Sequence, residues 1–139
     1  MSIWKNPTTL EQANQVRANT IVEHLGIEFT EIGADYITAT MPVDGRTHQP
    51  MGILHGGASV VLAETVGSFA AQMAAEPGYY CVGLDINANH LKSVRSGVVT
   101  GIAKPIHIGR STQVWEINIT NEENKLVCVS RLTMSVLKM

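Results

Sequence analysis

Between Arg46 and Glu76 the only formally charged side chain is Glu64, and the apolar stretch around it, residues 58–75, otherwise reads as buried helix. Removing a carboxylate from water without a partner costs several kcal/mol, so it acquires a partner or stays protonated. Glu64 therefore suits a nucleophile or general base, unless it pairs with a distant arginine or faces water. Ahead of it stands "LHGGAS", in which Gly56 and Gly57 leave the backbone N–H groups of a helix start open to approach. Such amides lack intrahelical partners and sit at the positive end of the helix dipole, where developing negative charge is stabilised. The same two glycines also suit a tight turn. Ser68, four residues after Glu64, shares its helix face and can reach the carboxylate or a water it holds, or simply pack as a small residue.

Gly56 and Glu64 are eight residues apart, about 12 Å along a helix rising roughly 1.5 Å per residue. An amide that polarises a carbonyl and a carboxylate that attacks it must converge on one group. One copy of the helix cannot do both. Two antiparallel copies can, with Gly56 of one facing Glu64 of the other.

The elements that carry these residues follow from pattern. "TTLEQANQVRANT" predicts a short helix over 9–18, capped by Thr8 or Thr9. "GIEFTEIG" and "YITATMPVD" alternate at period two around Gly33-Ala34-Asp35 and predict a hairpin. Residues 44–54 carry Gly and Pro and read as a loop, and residues 57–75 as the long helix. Four strand-like runs follow, "CVGLDINANH", "GVVTGIAK", "TQVWEINIT" and "LVCVSRLTMSVL", the last two joined by a turn at Glu122-Glu123-Asn124. A hairpin, one long helix and a run of antiparallel strands make an α+β fold with the helix laid across a curved sheet. The helix is apolar or small almost all round, so the sheet covers one side and a second subunit is the simplest cover for the rest.

Length predicts one domain over residues 1–139. Hydrophobic residues at 45% and charged residues at 16% are globular values, and a net charge of −2 gives no reason to expect nucleic acid or an anionic membrane as partner. No run is a signal-peptide core or a membrane span, and Cys81 and Cys128 share no motif spacing, so a reduced, cytoplasmic protein is expected.

"QPMGILHGGASVVLAETVGS" resembles the signature of hotdog-fold acyl-CoA thioesterases of the 4-hydroxybenzoyl-CoA and phenylacetate-pathway type. The resemblance extends through "IWK", "TLEQAN", "HLGI", "MPVDGRTHQP", "VGLDINANH", "GRSTQVW" and "VSRLT". It is greatest to the subgroup that releases 1,4-dihydroxy-2-naphthoyl from CoA, and to a sibling that clears aryl groups from a siderophore-synthesis carrier protein. The resemblance implies Glu64 as nucleophile or general base and the Gly56 N–H as the group that polarises the thioester carbonyl. It implies Gln49 and His55 around that carbonyl and thiol, Ser68 as a helper that positions water or substrate, and His90 on the substrate side. It further implies a homodimer with shared active sites, commonly paired into a homotetramer, with no metal and no other cofactor. The substrate would be an acyl-CoA or an acylated carrier protein.

His55 could instead hold the turn, and Gln49 could brace the loop. Val61, Val82, Phe69 and Met73 are apolar candidates for the acyl pocket, with Gly83 as a further substrate-contacting position. Arg95, Lys104 and Arg110 are candidates for the CoA phosphates, or else solvated strand ends. His24, His48 and His107 lack metal-ligand spacing. The HGG stretch is shared with lipase oxyanion loops, but those require a GxSxG elbow that this chain lacks. A hotdog dehydratase and a non-catalytic acyl-binding module are the remaining rivals.

Overall fold

A computed structural model describes residues 1–139. Helix α1 spans Leu10–Gln15 and opens on a capping box: the Thr9 hydroxyl accepts from the Gln12 N–H at 3.1 Å, and the Gln12 side chain accepts from the Thr9 N–H at 3.1 Å. The predicted continuation to residue 18 does not form. Asn19 takes a left-handed φ of 62°, and Thr20 then caps a separate four-residue helix, α2, Ile21–His24.

Strands β1 (Glu28–Ile32) and β2 (Ile37–Pro42) form the expected hairpin, closed by a 2.8 Å bond from the Gly33 N–H to the Tyr36 carbonyl. Helix α3 runs Gly56–Ala74 and ends ahead of Pro77. Strands β3 (Tyr79–His90), β4 (Val98–Ile108), β5 (Thr112–Thr120) and β6 (Leu126–Lys138) complete one antiparallel sheet in the order β1-β2-β4-β5-β6-β3. Strand β4 extends four residues beyond the predicted end at Lys104. It passes Pro105 through a register shift before His107, the kind of bulge at which a sheet tolerates proline.

Helix α3 lies against β2 through β6, the hotdog arrangement that the family resemblance implies. Its inward face buries Leu62, Ala63, Val66, Ala70 and Ala71 against Ile117, Leu132 and Met134. Each large side chain so buried contributes roughly 1.5–3 kcal/mol. At Gly67 the sheet comes so close that an added Cβ would stand 2.6 Å from Leu132 Cδ2. Two buried polar side chains tie β5 to α3: Trp115 Nε1 donates to Gln113 Oε1 at 2.7 Å, and Gln113 Nε2 donates to the Ala71 carbonyl at 3.2 Å. Trp4 stacks on Trp115 with centroids 6.1 Å apart and donates to the Gly33 carbonyl at 2.6 Å, which pins the N-terminal arm.

The outward face of α3 is half-buried at Val61, Glu64, Thr65, Ser68, Phe69 and Gln72. Part of its cover comes from the chain itself, because α2 and the turn before it pack beside it. Strand β3 forms one edge of the sheet, paired only with β6. A bulge leaves Leu84 without a partner between Gly83, which opposes Met134, and Asp85, which opposes Thr133. Cys81 and Gly83 therefore face α3 before the bulge, and Ile86, Ala88 and His90 face it afterwards. Val82, Leu84 and Leu91 are exposed. No helix is long and apolar enough to cross a membrane.

Candidate active site

The start of α3 is held by its own loop. Asp44 accepts from the Arg46 backbone N–H at 2.9 Å and from its guanidinium at 3.1 and 2.8 Å, which holds the Asp44 carboxyl down at about 2. The buried Thr47 hydroxyl donates to the Pro42 carbonyl at 2.7 Å, and the Thr47 carbonyl accepts from the His55 N–H at 2.8 Å. His55 is thereby placed as the N-cap, and its Nδ1 accepts from the Gly57 N–H at 2.8 Å. The His55 ring occupies the space a Gly57 side chain would need, 2.9 Å from an added Cβ. With Nδ1 accepting, the neutral ring carries its proton on Nε2.

This cap satisfies Gly57, while the N–H groups of Ala58 and Ser59 both donate to the His55 carbonyl, at 3.0 and 3.2 Å. The Gly56 N–H has no partner within the chain. It borders a groove of about 380 Å³ lined by Leu54, Ser59, His90 and Lys92 among others. His90 Nε2 lies 2.9 Å from where a Gly56 Cβ would stand, so glycine is what lets the ring approach. In the adjoining loop, Gln49 Oε1 accepts from the Met51 N–H, which leaves the Gln49 amide N–H groups as its free donors. Both alternatives for His55 and Gln49 thus have a structural counterpart: His55 caps the turn, and Gln49 braces the loop with its oxygen.

Glu64 lies in a different groove, of about 450 Å³, whose helix wall is Glu64, Thr65, Ser68, Phe69 and Gln72. Ala13, Val16, Arg17, Thr20 and Val22 from the N-terminal segment form another wall, and Phe29 meets Phe69 with centroids 4.6 Å apart. Glu64 makes no hydrogen bond or ion pair; the two salt bridges present are Lys5–Glu76 and Arg46–Asp44. The distant-arginine reading of Glu64 is therefore not realised within the chain. Glu64 Oε2 would stand 2.5 Å from a Cβ at Gly83, so the carboxylate rests directly on the bare backbone of β3. The Ser68 hydroxyl makes a long contact of 3.8 Å to Met134 Sδ. Neither groove contains both Glu64 and Gly56.

The structure brings Gly56 and His90 together at one groove, with Gln49 and His55 on the loop and cap beside it, and groups Glu64, Ser68, Phe69 and Gly83 at the other. It places the remaining candidates elsewhere. Met73 is a core residue, 2% exposed. Val82 points to the face opposite Gly83, because neighbouring strand residues alternate. Arg95 lies beside the Gly56 groove in the loop with Lys92 and Ser93, whereas Arg110 lies near Ala74 and Glu76 at the far end of α3. Lys104 is exposed on β4 opposite Glu116. Arg17 and Lys92 line the grooves without having stood out in the sequence. Burial pushes the thiols of Cys81 and Cys128 up, away from the thiolate form. No three His, Cys, Asp or Glu side chains converge as a metal cluster.

The description of the thioesterase superfamily matches residues 51–128. The chain is similar to a thioesterase of Haemophilus influenzae of solved structure, at 60% identity and a TM-score of 0.96, with 98% of this chain and 95% of that one covered. It is 52% identical to the 1,4-dihydroxy-2-naphthoyl-CoA hydrolase of Escherichia coli, covering 97% of this chain and 99% of the relative. It is also 50% identical to the proofreading thioesterase EntH of Cronobacter turicensis, covering 97% and 98%.

Proposed function

The chain belongs to the thioesterase superfamily and hydrolyses thioesters, and we propose that it acts on aroyl-CoA substrates of the 1,4-dihydroxy-2-naphthoyl or benzoyl type, in a site shared by two copies. The observation that carries this reading is the separation of Glu64 and the unpartnered Gly56 N–H into two grooves of one chain. A second copy supplies the missing half to each. The free edge of β3, with Val82 and Leu84 exposed on the strand and Leu91 just past its end, supports pairing with a copy of itself about a two-fold axis. That pairing turns the α3 helices antiparallel and sets the start of one against the middle of the other. Two such dimers form the expected tetramer.

In this reading the thioester carbonyl accepts hydrogen bonds from the Gly56 N–H and the Gln49 side-chain N–H groups. Glu64 of the other copy attacks the carbonyl carbon, or takes a proton from a water that attacks it, with Ser68 orienting that water. The oxyanion is stabilised where two fixed donors and the helix dipole converge. Collapse breaks the C–S bond and expels the CoA thiolate, which takes the proton that Glu64 removed from water. Where Glu64 itself attacked, the thiolate takes a proton from solvent and water then hydrolyses the acyl–Glu64 anhydride to the free acid. His90, on the substrate side in this reading, lies against Gly56, and Lys92 and Arg95 near that groove are the candidates to meet the CoA phosphates. A second reading, in which the thiol belongs to a carrier protein, follows from the family resemblance, and one relative is named a proofreading thioesterase.

Glu64→Gln should lower kcat by about 10²–10⁴-fold in a colorimetric thiol-release assay, without changing the oligomer. Undiminished turnover would overturn the assignment. Co-refolding inactive Glu64→Gln and Gln49→Ala chains should restore part of the activity, and no recovery would place both groups in one subunit's site. Ranking kcat/KM for aroyl-CoA, fatty acyl-CoA and aroylated carrier protein decides the thiol.

A further inference from the structure

We propose that Arg17 recognises an oxygen substituent on the acyl group, so that the chain prefers acyl groups bearing a carboxylate or phenolic oxygen remote from the thioester. The inference rests on the reading of Glu64 as the reacting group, because it concerns the same groove. Arg17 belongs to the N-terminal wall of that groove, opposite the helix wall that carries Glu64. Its Nε is buried and has no hydrogen-bond partner, and its guanidinium is in neither salt bridge of the chain. No carboxylate of the chain engages the guanidinium, so the part of its donor fork that borders the groove is free for an acceptor that arrives there.

The groove says what brings the acceptor. Ala13, Val16, Val22, Phe29 and Phe69 make it largely apolar, and the tilted Phe29–Phe69 pair offers ring faces and edges to a flat group. An aryl ring fits that lining, and the planar fork of a guanidinium matches a carboxylate or phenolic oxygen on it. The other anionic source would be the CoA phosphates. Those are better met by Lys92 and Arg95, which lie at and beside the Gly56 groove, whereas Arg17 lies in the groove of Glu64.

The test is a ratio of kcat/KM for 4-carboxybenzoyl-CoA or 4-hydroxybenzoyl-CoA over benzoyl-CoA, measured for wild type, Arg17→Met and Arg17→Lys. A ratio does not depend on the fraction of enzyme that is folded. Losing a charged hydrogen bond should reduce it about 10-fold or more in Arg17→Met, with part of it retained in Arg17→Lys. An unchanged ratio overturns the proposal. So does an equal loss on all CoA substrates that disappears with the matching N-acetylcysteamine thioesters, since it would assign Arg17 to the CoA phosphates. Affinities of wild type and Arg17→Met for the thioether analogues 4-hydroxyphenacyl-CoA and phenacyl-CoA, which have no thioester to hydrolyse, read the preference by calorimetry without turnover. If the reading of Glu64 as the reacting group fails, that binding ratio still decides the role of Arg17.

Discussion

Replacing Gly83 by alanine should damage catalysis through a single methyl group that touches nothing but the carboxylate. An alanine Cβ there would stand 2.5 Å from Glu64 Oε2, about 0.9 Å short of ordinary van der Waals contact at 3.4 Å. Gly83 is paired with Met134 of β6, whereas the end of the Glu64 side chain is free to turn, so the side chain gives before the strand. The end of the Glu64 side chain must swing away instead, by roughly 1 Å. Such a move is cheap for folding, since Glu64 has no partner to lose, and alanine is favoured over glycine in a strand by roughly 0.5–1 kcal/mol. For a reacting carboxylate, a misplacement of about 1 Å can cost on the order of 10²-fold in rate. Gly83→Ala should therefore keep or raise Tm while kcat falls about 10- to 100-fold, read by calorimetry and by thiol release on one preparation. A variant with wild-type kcat would show that the carboxylate does not react from its seat on β3. A fall in Tm of several degrees would show that the contact is structural.

Two further outcomes test the supports of the site. His55→Ala removes the cap of α3 and should cost about 0.5–2 kcal/mol of stability in urea unfolding, whereas His55→Asn, which can still cap, should restore most of it. The Asp44 carboxyl, held at about 2 by Arg46, lies below its ordinary value of about 3.9, so its tie to the loop is fully present above pH 4 and is lost as pH falls through 2. An NMR titration should find the Asp44 midpoint near 2 in wild type and near the ordinary value in Arg46→Ala; a wild-type midpoint near 4 would show that the loop does not hold that bond in solution.

Periodicity made most of the fold legible, because the β1–β2 hairpin and the later strands alternate and α3 is long enough to carry its own pattern. Helix α2 escaped, since four residues cannot show a helical period, and only the cap at Thr20 announces it. The proline at 105 hid the continuation of β4, because a bulge that accommodates it depends on the neighbouring strand. Glu64 and Gly56 could be read because a lone charge and paired glycines are rare on an apolar helix. Arg17 could not, because an arginine near the end of a predicted surface helix looks solvated until the segment ahead of α2 packs beside α3. The inward and outward sides of β3 were readable in principle: strict alternation from Cys81 would turn Asp85, Asn87 and Asn89 inward, and Ile86 and Ala88 mark the slip.

The slip at Leu84 has a consequence for the free edge of the sheet. It puts the two halves of β3 out of phase, so a straight strand laid along that edge can stay in step with only one of them. An unrelated extended segment therefore finds half a template, which guards the edge against indiscriminate strand addition. Only a strand with its own compensating dislocation can follow the edge to the end, and the chain most certain to carry one is a second copy of itself.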